Sequence, residues 1–178
     1  MAALLKRRGL RSLFARRDGA AAVEFSLVAI PFFWMLIGMA EFGAMSLVQT
    51  NLDNALAETG REIRTGIAQS EGMSKVEMEA ELCERLNEIM ALTCANNLFL
   101  DVDRYDSFST VGNGTPTNNG AIDPTQLNYT PGAGDEVILV RAYYQWQILT
   151  PLFGSIFANM EDGKRLMVSS MLFRNEPF

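Results

Sequence analysis

The side chains of this chain that could do chemistry are mainly carboxylates. The 178 residues include no histidine, so the commonest general base and the commonest metal ligand are missing. A row of acids suggests a carboxylate metal site or a catalytic acid pair: Glu77, Glu79, Glu81, Glu84 and Glu88. Charges along a helix face are more often simply solvated. The sequence also has no nucleophile motif, phosphate loop or zinc spacing, so we expect no metal, no cofactor and no enzymatic activity.

Cys83 and Cys94 are the only cysteines. Their spacing is not the C-x-x-C of a redox pair, and an oxidising compartment would permit a disulfide between them. Such a bridge would tie the end of a predicted helix to the next element and contribute roughly 3 kcal/mol in the chain-entropy model. We expect a structural disulfide, with reactive thiols as the alternative.

Charge is divided unevenly along the chain. Residues 1–19 hold six basic groups and one acid, whereas residues 20–178 hold nine basic groups and 20 acids. The acidic bulk disfavours a nucleic-acid partner, which requires a basic surface. The leading basic residues precede an apolar segment, so membrane orientation explains them better: Lys6, Arg7, Arg8, Arg11, Arg16 and Arg17.

An uncharged apolar run extends from Phe25 to Ala40, and the 24 residues 25–48 contain one charge, Glu41. As a helix these residues would reach ~36 Å, against a hydrocarbon core of ~30 Å. Glu24 and Glu41 would lie roughly 25 Å apart along that helix, near opposite faces of the bilayer. The basic leader would keep the N-terminus in the cytoplasm and place residues after about Val48 on the far side.

Three interpretations of this segment compete. It is a permanent signal anchor, a signal peptide cut after Ala40, or a substrate of a prepilin-type peptidase that cuts after Gly19. Glu24 weakens an ordinary signal peptide, and a simple anchor does not need it. A cut after Gly19 would free the amine of Ala20, with which a carboxylate one helical turn away, or on a neighbouring subunit, could pair. We favour this third interpretation; the alternative for Glu24 is a position at the headgroups.

Periodicity beyond the span predicts two helical stretches. The first helix continues toward Gly66 through an apolar stripe of Leu47, Leu52, Ala55, Leu56, Thr59 and Ile63. Ser74 and Glu77 predict the capping box of a second helix, with Met73 and Met78 as its hydrophobic staple. The apolar face of that helix is predicted to hold Val76, Leu82, Cys83, Leu86, Ile89 and Met90.

Three strands are predicted after the second helix. They are residues 98–105, with Leu98, Leu100 and Val102 on one face; residues 136–146; and residues 164–174, with Leu166, Val168, Ser170 and Leu172 on one face. A polar loop, residues 111–134, separates the first two, and an apolar connection, residues 147–157, is expected to pack on the sheet edge or touch the membrane. The fold class is therefore α+β, a long transmembrane helix continuing into a domain with a second helix and a three-stranded antiparallel sheet.

The residues Arg16-Arg17-Asp18-Gly19-Ala20-Ala21-Ala22-Val23-Glu24-Phe25 and the apolar segment after them resemble the TadE-like (TadE/TadG) proteins of the tight-adherence (Tad/Flp) pilus system. The Cys83 and Cys94 pair, Leu149-Thr150-Pro151 and the closing stretch Phe173-Arg174-Asn175-Glu176-Pro177-Phe178 also fit the longer members. By this resemblance, Gly19 precedes the cut, Ala20 becomes the first residue, and Glu24-Phe25 is the shared Glu-aromatic pair that serves assembly.

The resemblance implies a minor pseudopilin, processed by a prepilin peptidase and needed for pilus assembly, surface adhesion and biofilm formation in a Gram-negative bacterium. Its expected partners are other pilins and pseudopilins, the assembly platform and the peptidase. Its expected divisions are a cytoplasmic leader (1–19), an inner-membrane helix (20–48) and a periplasmic domain (49–178), in the membrane or within the pilus. The alternative is a membrane-anchored periplasmic binding or adhesion module outside any pilus.

Overall fold

A computed structural model describes residues 18–88, 91–112, 114, 116–118 and 121–178. The basic residues of the predicted leader, Lys6 to Arg17, lie outside these ranges, as do Ile89 and Met90 of the predicted second helix. The chain divides into two compact units, with the boundary between Ala40 and Glu41.

The first helix, α1, spans Asp18–Arg64 and includes Pro31 without ending there. Its segment Gly19–Arg64 contains an 18-residue window with a mean hydropathy of 2.0, of which none is buried. Among the described residues it is the one helix long and apolar enough to cross a membrane. In the first unit, large apolar side chains such as Phe25, Val28 and Ile30 are exposed. Helix surface of this composition is suited to lipid rather than water.

In the second unit, α1 becomes an amphipathic core helix. Val48, Leu52, Leu56 and Ile63 are almost completely buried, and their spacing places them on one face. Leu47, which we predicted to belong to this stripe, is instead 54% exposed, because it lies about 100° around the helix from Val48. Met45 and Val48, inside the predicted span, are part of the second unit's core.

The end of α1 is set by Gly66, as the sequence indicates. Gly66 adopts the left-handed region with φ of 80°, and a Cβ there would lie 2.5 Å from the ring of Phe178. Both facts favour glycine over any other residue. A four-residue helix, α2 (Ile67–Ser70), follows and leads to α3 (Lys75–Leu86).

Helix α3 begins with the predicted capping box. The hydroxyl of Ser74 accepts from the backbone N–H of Glu77, and the Glu77 carboxylate accepts from the backbone N–H of Ser74 at 2.8 Å. The buried residues of α3 are Met78, Leu82 and Leu86. The prediction that Val76 belongs to this face is wrong, since Val76 is 74% exposed while Met78, half a turn away, takes the core position.

The confirmed α+β fold contains a three-stranded antiparallel sheet in the order β1-β4-β5. Its strands are β1 (Leu98–Tyr105), β4 (Val137–Trp146) and β5 (Arg165–Arg174), each starting within one residue of the predicted position. Two strands that were not predicted, β2 (Thr117–Asn118) and β3 (Ala121–Ile122), form a short ladder within the polar stretch. A four-residue helix, α4 (Gly154–Phe157), lies between β4 and β5.

One face of the sheet packs against the helices. In β5 this face carries Met167, Ser169, Met171 and Phe173, whereas the predicted set of Leu166, Val168, Ser170 and Leu172 lies on the opposite face. Val168 and Leu172 are each 40% exposed there. Both alternating sets of β5 are largely apolar, so a period of two could not indicate which set faces the core.

After β5 the chain returns to the end of α1. The backbone N–H of Glu176 donates to the carbonyl of Arg64 at 2.9 Å, and the two side chains form an ion pair at 3.4 Å. The buried Asn175 amide donates to the carbonyls of Pro131 and Ala133 at 2.9 and 3.0 Å. The segment after β5 is therefore held by both α1 and the loop that precedes β4.

Candidate functional site

The predicted processing residues Gly19 and Ala20 lie in the first turn of α1, and both are exposed. A Cβ added to Gly19 would meet nothing within 4 Å. Packing among the described residues therefore gives no reason for a glycine at this position, and its φ does not require one. Cleavage after Gly19 stays a prediction.

The predicted assembly residues Glu24 and Phe25 are also exposed, Phe25 by 71%. Glu24 lies four positions after Ala20, so the two share one face of α1. Within the described part of the chain, the Glu24 carboxylate has no hydrogen-bond or ion-pair partner. A carboxylate beside an apolar helix run is costly without one, so its position favours a partner supplied by another group.

The acid at the other end of the apolar run, Glu41, is in the opposite situation. It is only 3% exposed, and both of its carboxylate oxygens accept hydrogen bonds. Oε1 accepts from the backbone N–H of Leu149 at 3.0 Å and from the indole N–H of Trp146 at 3.4 Å. Oε2 accepts from the backbone N–H and the hydroxyl of Thr150, both at 3.0 Å. Four donors compensate the loss of hydration, which makes burial of this carboxylate tolerable.

Glu41 thereby fixes the connection that follows β4. The segment turns through residues 151–153 into α4, and its inward side chains Ile148 and Phe153 are 6% and 5% exposed. The rings of Phe153 and Phe157 lie 5.7 Å apart, and Phe157 packs against the main core. Sequence reasoning placed Glu41 near a membrane face but missed this contact. Its donors lie 105 to 109 positions away in the sequence, so no local pattern pointed to it.

Cys83 and Cys94 form a disulfide in the structure, with Cα atoms 6.0 Å apart. Between them, the Asn87 side chain accepts from the backbone N–H of Leu92 at 2.6 Å. The bridge ties the last turn of α3 to the segment that leads into β1, a structural position. The described residues contain no free cysteine.

The acids of α3 largely have structural partners. Hydrogen bonds from the backbone and hydroxyl of Ser74 lower the pKa of the capping Glu77 carboxyl. Glu79 accepts from the backbone N–H of Leu100 at 3.0 Å and so joins α3 to β1. Burial raises the pKa of Glu81, against the opposing effect of Arg85, which contacts both Glu81 and Glu62 of α1. In the described ranges, no group of three or more His, Cys, Asp or Glu is arranged to hold a metal ion.

The sheet face away from the helices carries a second polar cluster, which the sequence did not reveal. Asp101 is 1% exposed and accepts from the Arg141 guanidinium at 2.8 Å and from the backbone N–H of Asn128 at 2.8 Å. Arg141 also donates to Asp103 at 3.0 Å and to the carbonyl of Gly114 at 2.7 Å. The cluster holds the polar stretch against the sheet.

Comparison with known protein families gives a match along the first helix. Residues 19–61 match the family described as "TadE-like protein", a range that begins at Gly19 and covers most of α1 but less than half of the chain. Neither the curated proteins nor the solved structures contain a match to this chain. Along its long first helix, the chain is therefore similar to TadE-like proteins.

Proposed function

We propose that this chain is a minor pseudopilin that takes part in assembly of Tad (type IVb) pili for surface adhesion, and that it acts without catalysis. The match of residues 19–61 to the TadE-like proteins carries the proposal. The matched range starts at the residue that would precede a prepilin-peptidase cut and includes Glu24, which is exposed and unpaired among the described residues. These are the features a subunit would need if its helix packs beside others and its carboxylate receives a cation from processing.

The proposed arrangement is a single pass through the bacterial inner membrane. The basic leader holds the N-terminus in the cytoplasm, the apolar part of α1 spans the bilayer, and the second unit lies in the periplasm. The Cys83–Cys94 disulfide supports a periplasmic location of the second unit, because such bridges persist in oxidising compartments. The proposed partners are other pilins and pseudopilins, the assembly platform and the prepilin peptidase, with no nucleic acid.

In the proposed mechanism, a positive and a negative group form an ion pair at the cytoplasmic edge of the membrane. Removal of residues 1–19 would create an ammonium group on Ala20, one helical turn from Glu24. That ammonium, on the same or an adjacent subunit, would neutralise the Glu24 carboxylate when helices pack side by side. An ion pair that forms only after processing would link maturation to assembly.

Mass spectrometry of the chain isolated from cells tests the processing step. We expect a mature protein that begins at Ala20, and we expect Gly19→Ala to raise the unprocessed fraction. Gly43→Ala is the matched control, because Gly43 also lies in α1 and a Cβ added there would meet nothing within 4 Å. A functional wild-type protein that begins at Met1 or Glu41 would contradict maturation at Gly19.

Glu24→Gln tests the pairing step, since it keeps the size of the side chain and removes its charge. We expect normal processing but loss of pili, counted by electron microscopy. Glu58→Gln, at an exposed acid farther along α1, should leave pili unchanged. If both variants assemble pili and adhere normally, the membrane-anchored binding or adhesion module becomes the better description.

A further inference from the structure

The connection between β4 and β5 presents three exposed apolar side chains. Leu149, Leu152 and Ile156 are 66%, 67% and 61% exposed. They belong to residues 147–160, a stretch of 14 residues without any charged side chain. In a chain with 20% charged residues, an uncharged segment with three large apolar side chains turned outward requires an explanation.

The position of this segment is fixed by Glu41. The backbone N–H groups of Leu149 and Thr150 both donate to the Glu41 carboxylate at 3.0 Å. Glu41 is the residue directly after the apolar run that ends at Ala40. Residues 149 and 150 therefore lie within hydrogen-bonding distance of the residue that directly follows the apolar run.

The segment cannot turn its exposed side chains into its own core, because its other face is already buried there. Phe153 is 5% exposed, and Phe157 packs against the core and against the Phe153 ring. The Arg165 guanidinium donates to the Phe157 carbonyl at 2.9 Å and so holds the end of α4 as well. The contacts of Phe153, Phe157 and Arg165 therefore hold Leu152 and Ile156 in their outward direction.

We propose that residues 149–156 form a second membrane contact, in which Leu149, Leu152 and Ile156 enter the boundary between headgroups and acyl chains. Apolar side chains that enter this boundary lose contact with water, and the strength of binding rises with the apolar area that they bury. The segment is hydrogen-bonded to Glu41, the residue that follows the apolar run in the sequence, and this favours the bilayer over a protein as its occupant. Arg165, beside the end of α4, would lie at the level of lipid phosphates.

The test uses the full chain in vesicles of phosphatidylethanolamine and phosphatidylglycerol, with a polarity-sensitive NBD fluorophore on one introduced cysteine. The native cysteines are joined in a disulfide and do not react with the label. Ile156→Cys carries the probe of interest. Val76→Cys is the matched control, a 74% exposed apolar position in the first turn of α3. Arg85 of the same helix pairs with Glu62, which lies 21 positions, or ~31 Å, beyond Glu41 along α1. The control probe is therefore on a helix that packs far from Glu41.

The inference rests on the proposed membrane span, so Met35→Cys reports on that span separately. We expect the Ile156 probe to emit at shorter wavelength than the Val76 probe. Nitroxides near the headgroup end of the acyl chain should quench it more than nitroxides near the methyl end, with the reverse order for Met35.

If the Ile156 probe is as accessible to a water-soluble quencher as the Val76 probe while the Met35 probe is shielded, this inference is overturned and the proposed membrane span is not. If Met35 is also accessible, the membrane span itself fails and the inference with it. A shift at Ile156 that disappears as the protein is diluted with lipid would identify a second copy of the chain as the occupant and would also overturn the inference.

Discussion

Glu41 shows how one residue can join two distant parts of a sequence. Its carboxylate accepts from donors on residues 146, 149 and 150, more than 100 positions away. Hydrogen bonds to an ionised, buried acceptor are stronger than neutral ones, and loss of the acceptor leaves each donor without a partner. The residue therefore acts through the backbone of the β4–β5 connection.

Glu41→Ala should destabilise the second unit by about 2–4 kcal/mol, because it leaves three N–H groups and a hydroxyl without their acceptor. Glu41→Gln should cost less, since the amide keeps one oxygen acceptor. Urea unfolding of the full chain in detergent, followed by circular dichroism, measures both. The matched control is Glu58→Ala, which removes an exposed acid of α1 whose ion pair with Arg61 is open to solvent. Equal midpoints for Glu41→Ala and Glu58→Ala would show that the carboxylate contributes nothing to stability.

At the scale of elements, α1 changes its environment along its length while remaining one helix. Before Glu41 its apolar residues are exposed on all sides, and after it most of them form a single buried face, with Phe42 and Leu47 as exposed exceptions. The exposed Leu47 and the buried Leu52 lie on this second part, five positions apart. The same residue type thus has two different energetic roles on one element.

Leu52→Ala should destabilise the second unit by about 2–5 kcal/mol through lost burial and a cavity. Leu47→Ala is the matched control and should change stability by less than about 0.5 kcal/mol in detergent. The difference between their urea midpoints is the measurement. A Leu47→Ala variant as unstable as Leu52→Ala would mean that Leu47, rather than its neighbour Val48, faces the core.

Elements were predictable where one local signal was sufficient. The capping box at Ser74 predicted the start of α3, and the alternation of Leu98, Leu100 and Val102 predicted both β1 and its core face. The core face of β5 could not be predicted, because Met167 and Phe173 are as apolar as Leu166 and Leu172. The bonds of Glu41 and of Asp101 depend on residues that become neighbours only after folding, so no local pattern contains them.

At the scale of the whole molecule, the disulfide and the basic leader favour the same orientation of the chain across the membrane. The leader predicts a cytoplasmic N-terminus, and the Cys83–Cys94 bridge favours an oxidising compartment for residues 83–94. These two features lie on opposite sides of the apolar run in the sequence. Together they are consistent with a single crossing.

Thiol trapping in intact cells tests this orientation. We expect Cys83 and Cys94 to be unreactive toward an alkylating reagent until a reductant is added, because the proposed periplasmic location would allow oxidation to form the bridge. A version in which Lys6, Arg7 and Arg8 are replaced by Gln and positive charge is added after α1 should invert part of the population and yield free thiols. Free thiols in the wild-type protein would place the second unit in the cytoplasm.

Polar contacts hold α1 to the rest of the second unit at both ends of its buried face, and this has a mechanical consequence. Four hydrogen bonds meet at Glu41, and the Glu176 contacts meet at Arg64, 23 positions later or ~35 Å along the helix. A pull on the apolar run would reach Glu41 first. It would then pass through the hydrogen bonds of Glu41 to the end of the central strand, β4. Tension on the helix, as when a subunit is drawn out of lipid, would therefore be shared with the sheet at once rather than unwinding the helix alone.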